Sequence, residues 1–156
     1  MKTFVEFGLT RLEWELRKID DETLNWRLAP ESNTVKWLLR HISMILNVYL
    51  PRAFTGDLSY LPEKWPDNYH ETELYSLEKI LADIETGRMA TINGFNRLSD
   101  NSLEDLLNWY IGEDKREKYL MILSSEILHH EGQISAIIGL RKRISGEPPE
   151  VIPPEA

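Results

Sequence analysis

Apolar residues recur every three or four positions along four separate stretches of this chain, and this period constrains the fold more than any other feature of the sequence. Side chains at this spacing lie on one face of an α-helix, whereas a strand exposed on one side requires alternation at every second residue. The clearest stretch predicts a long last helix with a histidine on its core face: Leu120, Leu123, Ile127, His130, Ile134 and Ile137.

Three earlier stretches repeat the same period. The first predicts a helix that ends near Asp20-Asp21, with the stripe Val5, Leu9, Leu12, Leu16 and Ile19. The second follows the candidate N-caps Ser32, Asn33 and Thr34 and has the stripe Val35, Leu38, Ile42, Ile45 and Tyr49. The third has Leu74, Leu77, Leu81 and Ile84, then Gly87 and Gly94, then Phe95 and Leu98. Small residues in this third helix would let a neighbouring helix approach closely.

The connections between these stretches are very unequal in length. Residues from Pro51 to His70 are rich in Gly, Pro, Asp and Asn and predict a long loop. Aromatic and β-branched residues favour an extended segment over Asn108–Ile111, and Asp114 with Glu117 resembles a capping box for the last helix. Together these features predict an all-α domain, an antiparallel four-helix bundle with a long crossover between helices 2 and 3. The bundle should span residues 1–146 and a Pro-rich tail residues 147–156, with Gly146 as the helix stop.

Charge and composition exclude several classes of protein. The formal net charge of −8 disfavours nucleic acid and anionic membrane surfaces as partners. No stretch reaches 18 uninterrupted apolar residues, and the N-terminus does not resemble a signal peptide, so a cytoplasmic location is expected. Because the chain contains no cysteine, any reactive thiol must come from a cosubstrate.

Candidate metal ligands lie on the second and fourth predicted helices. His130 occupies a core-facing position, and Glu126 precedes it by one turn, so the two side chains project side by side. His41 lies beside the apolar stripe of the second helix. A divalent ion bound by His41, Glu126 and His130 would have open coordination positions. Spacing alone favours the simpler alternative, a metal-free polar cluster in which Glu126 satisfies a buried imidazole.

Other polar and aromatic residues receive no assignment to the site. His129 is turned by about 100° from His130 on the helix and is a spare ligand. His70 lies in a predicted loop or at a helix start and is given no role. A further set could line a pocket above the ion, but residues of this kind at helical spacing are more often core: Trp37, Tyr49, Arg52 and Trp109.

Two sequence runs resemble the DinB superfamily of helical bundles, which includes the YfiT-like metalloenzymes. The run from Asn33 to Ile42, NTVKWLLRHI, is similar to the second-helix segment that carries the first metal ligand of the family. The run HEGQI from His130 to Ile134 is similar to the last-helix motif H-x-x-x-H-R-G-Q, in which both histidines are ligands. This chain departs from the motif at Glu126, in place of the first histidine, and at Glu131, in place of arginine.

The resemblance implies a homodimer that binds zinc, nickel, manganese or iron through His41, Glu126 and His130. It also implies an enzyme, a metal-dependent thiol transferase or isomerase that acts on a small-molecule thiol and an electrophile. Two alternatives stay open. One is a metal-dependent hydrolase in which Glu126 acts as a base. The other is a non-catalytic homodimer whose polar cluster holds no metal.

Overall fold

The protein is described by a computed structural model, which covers residues 1–66, 69 and 75–147. Its secondary structure in these ranges is α1 (Lys2–Leu16), α2 (Asp21–Asn25), α3 (Val35–Met44), α4 (Leu50–Thr55), α5 (Leu77–Arg97), α6 (Asp100–Leu103), β1 (Leu106–Trp109), β2 (Gly112–Lys115) and α7 (Arg116–Ile144). The predicted positions of Leu74, His70 and the tail beyond Glu147 lie outside the described residues.

Four long helical segments pack around one apolar core. Helix α1 packs against α7 and α5, and α3 packs against α5 and α7, so each segment contacts two others. The apolar stripes predicted for the first, second and last helices lie mostly in this core, including Leu12, Ile42 and Ile127, each at most 1% exposed. The mostly helical fold class is thereby confirmed. Among the residues that the structure describes, no helix combines the length and the apolar composition needed to cross a bilayer.

The second helical segment extends further than the sequence analysis predicted. Between α3 and α4 the residues Ile45–Tyr49 form a π-helical turn, in which the Leu50 N–H bonds to the Ile45 carbonyl five residues back. Pro51 therefore lies in the first turn of α4, where its missing N–H is tolerated. The prediction of a loop beginning at Pro51 was wrong, and the helix ends instead at Thr55.

The first helix is shorter than predicted. Helix α1 ends at Leu16, and Ile19 is buried in the connection that follows rather than in the helix. Asp20 then caps the separate short helix α2, because its Oδ1 accepts the Thr23 N–H at 2.7 Å. Ile19 continues the apolar spacing of α1 into this connection, which explains why the predicted helix was too long.

A two-stranded hairpin separates α6 from α7, and it is the part of the fold that the sequence analysis missed. Strands β1 and β2 pair antiparallel, with Leu106 opposite Lys115 and Trp109 opposite Gly112. The extended segment was predicted at about the right place, but its partner strand was not. Asp114 lies in β2, and α7 begins at Arg116 with no side-chain cap, so the predicted capping box was wrong. Gly146 has a positive φ of 78° just after α7 and ends the helix as expected.

Candidate metal centre

Helix α3 presents His41 towards α7. The helix starts at Val35 because the Thr34 side chain caps it, accepting the Trp37 N–H at 3.1 Å. One turn later along the same face, the half-buried His41 ring stacks on the Trp37 indole, with 5.2 Å between ring centroids and 9° between planes. Trp37 therefore restricts the orientation of the His41 imidazole instead of forming part of a pocket.

Helix α7 presents Glu126 and His130 from adjacent turns. His130 is 7% exposed, whereas the Glu126 side chain is 42% exposed. His130 Nε2 lies 3.3 Å from Glu126 Oε2. The i,i+4 spacing seen in the sequence does place these side chains next to each other.

The structure brings His41 to the same point as Glu126 and His130. One ligand atom of each of the three residues lies within 4.8 Å of the other two. The two imidazole rings are 4.7 Å apart between centroids and nearly perpendicular, at 84°. Ligands of one ion at about 2.1 Å lie no more than about 4.2 Å apart, so these donor atoms could converge on one cation after a small closing movement of the side chains.

A neighbouring glutamine determines which nitrogen of His130 faces that point. His130 Nδ1 lies 2.9 Å from Gln133 Oε1, and Gln133 Nε2 lies 3.1 Å from His129 Nε2. The amide oxygen is an acceptor, so Nδ1 carries the proton and Nε2 directs its lone pair towards Glu126. Histidine ligands to metals commonly have their other ring nitrogen held by a hydrogen bond of this kind. His129 thus supports the site indirectly and is not one of its three members.

The unsatisfied atoms at this site fit a cation. His130 Nε2 is buried and has no hydrogen-bond partner among the described residues, although Glu126 Oε2 is only 3.3 Å away. The two atoms lie close without a hydrogen bond because an unprotonated ring nitrogen and a carboxylate oxygen are both acceptors. A proton or a metal ion between them would remove this mismatch. Two imidazoles and one carboxylate form a donor set suited to divalent transition metals.

A cavity of about 430 Å³ opens beside the cluster, and both His41 and Glu126 lie in its wall. The remaining wall is largely aromatic and aliphatic, with one guanidinium: Ile45, Tyr49, Arg52, Trp109, Tyr110, Ile122 and Leu123. Burial, followed by the nearby Tyr119 and the Glu126 carboxylate, raises the pKa of the Tyr110 hydroxyl. Tyr110 therefore stays protonated at neutral pH and is available as a hydrogen-bond donor.

The hairpin contributes Trp109 and Tyr110 to the wall of this cavity, and Tyr119 attaches the hairpin to α7. The Trp109 N–H donates to the Tyr119 hydroxyl at 3.1 Å, and that hydroxyl donates to the Gly112 carbonyl. Tyr119 is completely buried. Tyr110 was missed as a wall residue because its position depends on this pairing, for which the sequence has no strong alternating pattern.

The fold and the cluster define a class, a mostly helical bundle protein with a His-Glu-His group between two of its helices. The family model of the DinB superfamily matches residues 5–134, and the chain belongs to that superfamily.

Solved structures show the same fold at low sequence identity. A DinB-like protein from Bacillus subtilis, YjoA, is 16% identical with a TM-score of 0.71, and 96% of each chain is covered. A DinB-like protein from Bacillus cereus is 19% identical with a TM-score of 0.68, over 95% of this chain and 92% of that one. A conserved protein from Enterococcus faecalis is 17% identical with a TM-score of 0.66, over 94% and 95%. A search of curated proteins found no similar sequence.

Proposed function

We propose that this protein binds one divalent metal ion through His41, Glu126 and His130. The bound ion would activate a small-molecule thiol, which is either transferred to an electrophile or serves as cosubstrate in the isomerisation of that electrophile. The observation that carries the proposal is the buried Nε2 of His130, which has no hydrogen-bond partner among the described residues, lies 3.3 Å from Glu126 Oε2, and belongs to a group of three ligand atoms within 4.8 Å of one another. Membership of the DinB superfamily supports it.

Three protein ligands would leave coordination positions open to the cavity. A divalent ion bound there would stabilise the anionic form of a sulfur ligand, so that a thiol reacts as the thiolate. The chain has no cysteine, so the sulfur would come from a cosubstrate. A carboxylate in the ligand set, in place of a third imidazole, is compatible with zinc, nickel, manganese or iron.

The protein's own residues would position the reactants. Trp37 and Gln133 hold the two imidazoles in place from outside the ligand set. The aromatic wall of the cavity would exclude water from one side of the reacting atoms, and the Tyr110 hydroxyl would remain a donor because burial raises its pKa.

Metal content tests the first part of the proposal. Wild-type protein purified without an affinity tag should contain close to one equivalent of a divalent metal by elemental analysis. His41→Ala and His130→Ala should each lose it, because two ligands hold such ions far less tightly than three. His129→Ala is the control, since His129 is adjacent in sequence but is not one of the three ligand candidates and reaches His130 only through Gln133. This variant should keep close to one equivalent of metal, although with lower affinity. Metal-free wild type, or equal metal in all four proteins, would favour the non-catalytic polar cluster.

A hydrolase is the second candidate, and the exposure of Glu126 favours it. The Glu126 side chain is 42% exposed and lies in the cavity wall, where a general base could reach a water molecule. A screen of electrophiles with and without glutathione-like thiols separates the two reactions. Turnover that requires the thiol supports the transferase, turnover without it supports the hydrolase, and turnover that survives complete chelation contradicts both.

We further propose that the protein acts as a cytoplasmic homodimer. Phe4 and Phe7 on α1 are 45% and 47% exposed, which is consistent with a partner surface on that helix. The absence of cysteine is compatible with a reducing compartment. Light scattering on the purified protein measures the oligomeric state directly, and a monomeric mass at micromolar concentration would contradict the dimer.

A further inference from the structure

One cation lies in the wall of the cavity beside the metal centre, at the end away from His41. Arg52 belongs to α4 and is half-buried, and the same cavity wall contains His41 and Glu126. Arg52 lies eleven positions after His41 in one helical segment, and the π-helical turn between them changes the α-helical repeat. The shared cavity wall is therefore the observation that places both side chains on the same side of that segment. At 1.5 Å per residue their Cα atoms are about 16 Å apart.

The Arg52 guanidinium is oriented but not neutralised. Its Nε donates to the Tyr60 carbonyl at 2.9 Å, which holds the guanidinium plane from one side. In the described part of the chain the two terminal nitrogens of Arg52 make no hydrogen bond and no ion pair. Asp57 is near enough for Arg52 to contribute to the lowering of its pKa, but the main causes of that lowering are hydrogen bonds from Ser59. Arg52 thus retains the two-pronged donor set that suits a carboxylate.

The surroundings explain why an acidic group would be selected. The protein as a whole has a net charge of −8, so a half-buried guanidinium in a cavity wall is a local exception to the sign of the protein's charge. Among the described residues that line this cavity, Arg52 is the only lysine or arginine. An acid would therefore be attracted to one end of the cavity, with Tyr49 and Trp109, in edge-to-face contact at 5.8 Å, beside its apolar portion.

We infer that Arg52 is the specificity-determining residue of the site and that the ligand it selects carries a carboxylate. This carboxylate pairs with Arg52, while the reactive end of the ligand lies at His41, Glu126 and His130. This inference rests on the proposed function and names the chemical class of its thiol substrate. A ligand that reaches from Arg52 to the three candidate metal ligands must be extended, because the Cα atoms of Arg52 and His41 are separated by a helical rise of up to about 16 Å. Linear acids of six and eight carbons are therefore suitable probes.

The test compares mercaptohexanoate and mercapto-octanoate with the corresponding mercapto-alcohols on cobalt-substituted protein. Calorimetry measures binding of each compound, and absorption from sulfur coordinated to cobalt shows separately whether the thiol reaches the metal. In the wild type we expect each acid to bind at least tenfold more tightly than its alcohol. Arg52→Gln should reduce this ratio to about one, and Arg52→Lys should retain part of it.

Arg17→Gln is the matched control, since it removes the same charge from the residue just after α1, where the Arg17 side chain is 66% exposed and pairs with Glu13. Its acid-to-alcohol ratio should equal that of the wild type. Three outcomes would overturn the role of Arg52. The wild type could bind acids and alcohols equally, the acid preference could survive in Arg52→Gln, or neither acid could bind. Absence of the sulfur absorption alone would instead count against the thiol chemistry, while the calorimetric ratio would still decide the role of Arg52.

Discussion

Arg11 on α1 and Glu131 on α7 form a two-point ion pair across the bundle. Arg11 Nε donates to Glu131 Oε2 at 3.1 Å, and Arg11 Nη2 donates to Oε1 at 3.0 Å. The Glu131 side chain is 3% exposed and that of Arg11 is 30% exposed. Glu131 is one of the two departures from the last-helix motif, where arginine is usual. Here the carboxylate follows His130 in sequence, is buried, and is neutralised by a cation from α1.

Removing Arg11 should destabilise the protein strongly, because it would leave a carboxylate buried without a partner. We expect Arg11→Ala to lower the free energy of unfolding by about 3 kcal/mol, measured by chemical denaturation. The Arg11→Met, Glu131→Leu double variant should recover most of this loss, since it removes both charges. Arg17→Ala breaks the exposed pair with Glu13 and should cost less than about 0.5 kcal/mol. Similar losses in Arg11→Ala and Arg17→Ala would contradict this assignment.

Gln133 should control metal affinity without being a ligand. Gln133→Ala removes the acceptor that holds the His130 Nδ1 proton, and we expect metal affinity to fall about 10- to 100-fold. Gln133→Glu retains an acceptor for that proton and should stay near the wild-type affinity. Competition with a chromophoric chelator measures both constants, and circular dichroism checks that the fold is intact. An unchanged affinity in Gln133→Ala would show that the hydrogen bond does not position His130.

Gly87 permits the close packing of α5 on the π-helical turn. A Cβ at this position would lie 2.5 Å from the Leu46 Cβ and 2.7 Å from Asn47 Nδ2. Although alanine favours a helix over glycine by up to about 1 kcal/mol, we expect Gly87→Ala to lower the free energy of unfolding by about 2 kcal/mol. Gly132→Ala is the control, because in the described part of the chain no atom beyond its neighbours and the nearby backbone of α7 lies within 4 Å of the added Cβ. That variant should be neutral or slightly more stable in thermal unfolding. Stabilisation by both substitutions would show that α5 has room to move.

Asp20 should make α2 sensitive to acid. Hydrogen bonds from Thr23, assisted by Arg141, hold the pKa of the Asp20 carboxyl below its ordinary value. A carboxyl with a lowered pKa in the folded state contributes stability above its unfolded pKa, and this contribution is lost as the pH falls through the folded value. Asp20→Ala should therefore cost about 1 kcal/mol near neutral pH, and this cost should shrink as the pH falls below 3.8, the ordinary pKa of the carboxyl, and through the lower folded-state pKa. Asp20→Asn retains the cap but cannot ionise, so the difference in stability between Asp20→Asn and Asp20→Ala should depend little on pH. Denaturation curves across this pH range provide the measurement.

The sequence by itself determined the features that arise within one helix. The stripe of α7 and the side-by-side placement of Glu126 and His130 follow from the helical repeat, and the start of α3 follows from the Thr34 cap. Each depends on residues no more than a few positions apart. Such contacts form in any helix of this sequence, so the pattern of residue types is sufficient to predict them.

Only the tertiary structure decided how the helices meet. His41 lies next to His130 because α3 packs against α7. How closely two helices approach depends on contacts along their whole length. The contact of Gly87 on α5 with Leu46 is an example. Likewise, Pro51 is helical because the π-helical turn before it changes the hydrogen-bonding register. The cavity wall at Tyr110 exists because Tyr119 fastens the hairpin to α7. These arrangements result from packing between distant segments, whose geometry is not encoded in any local spacing.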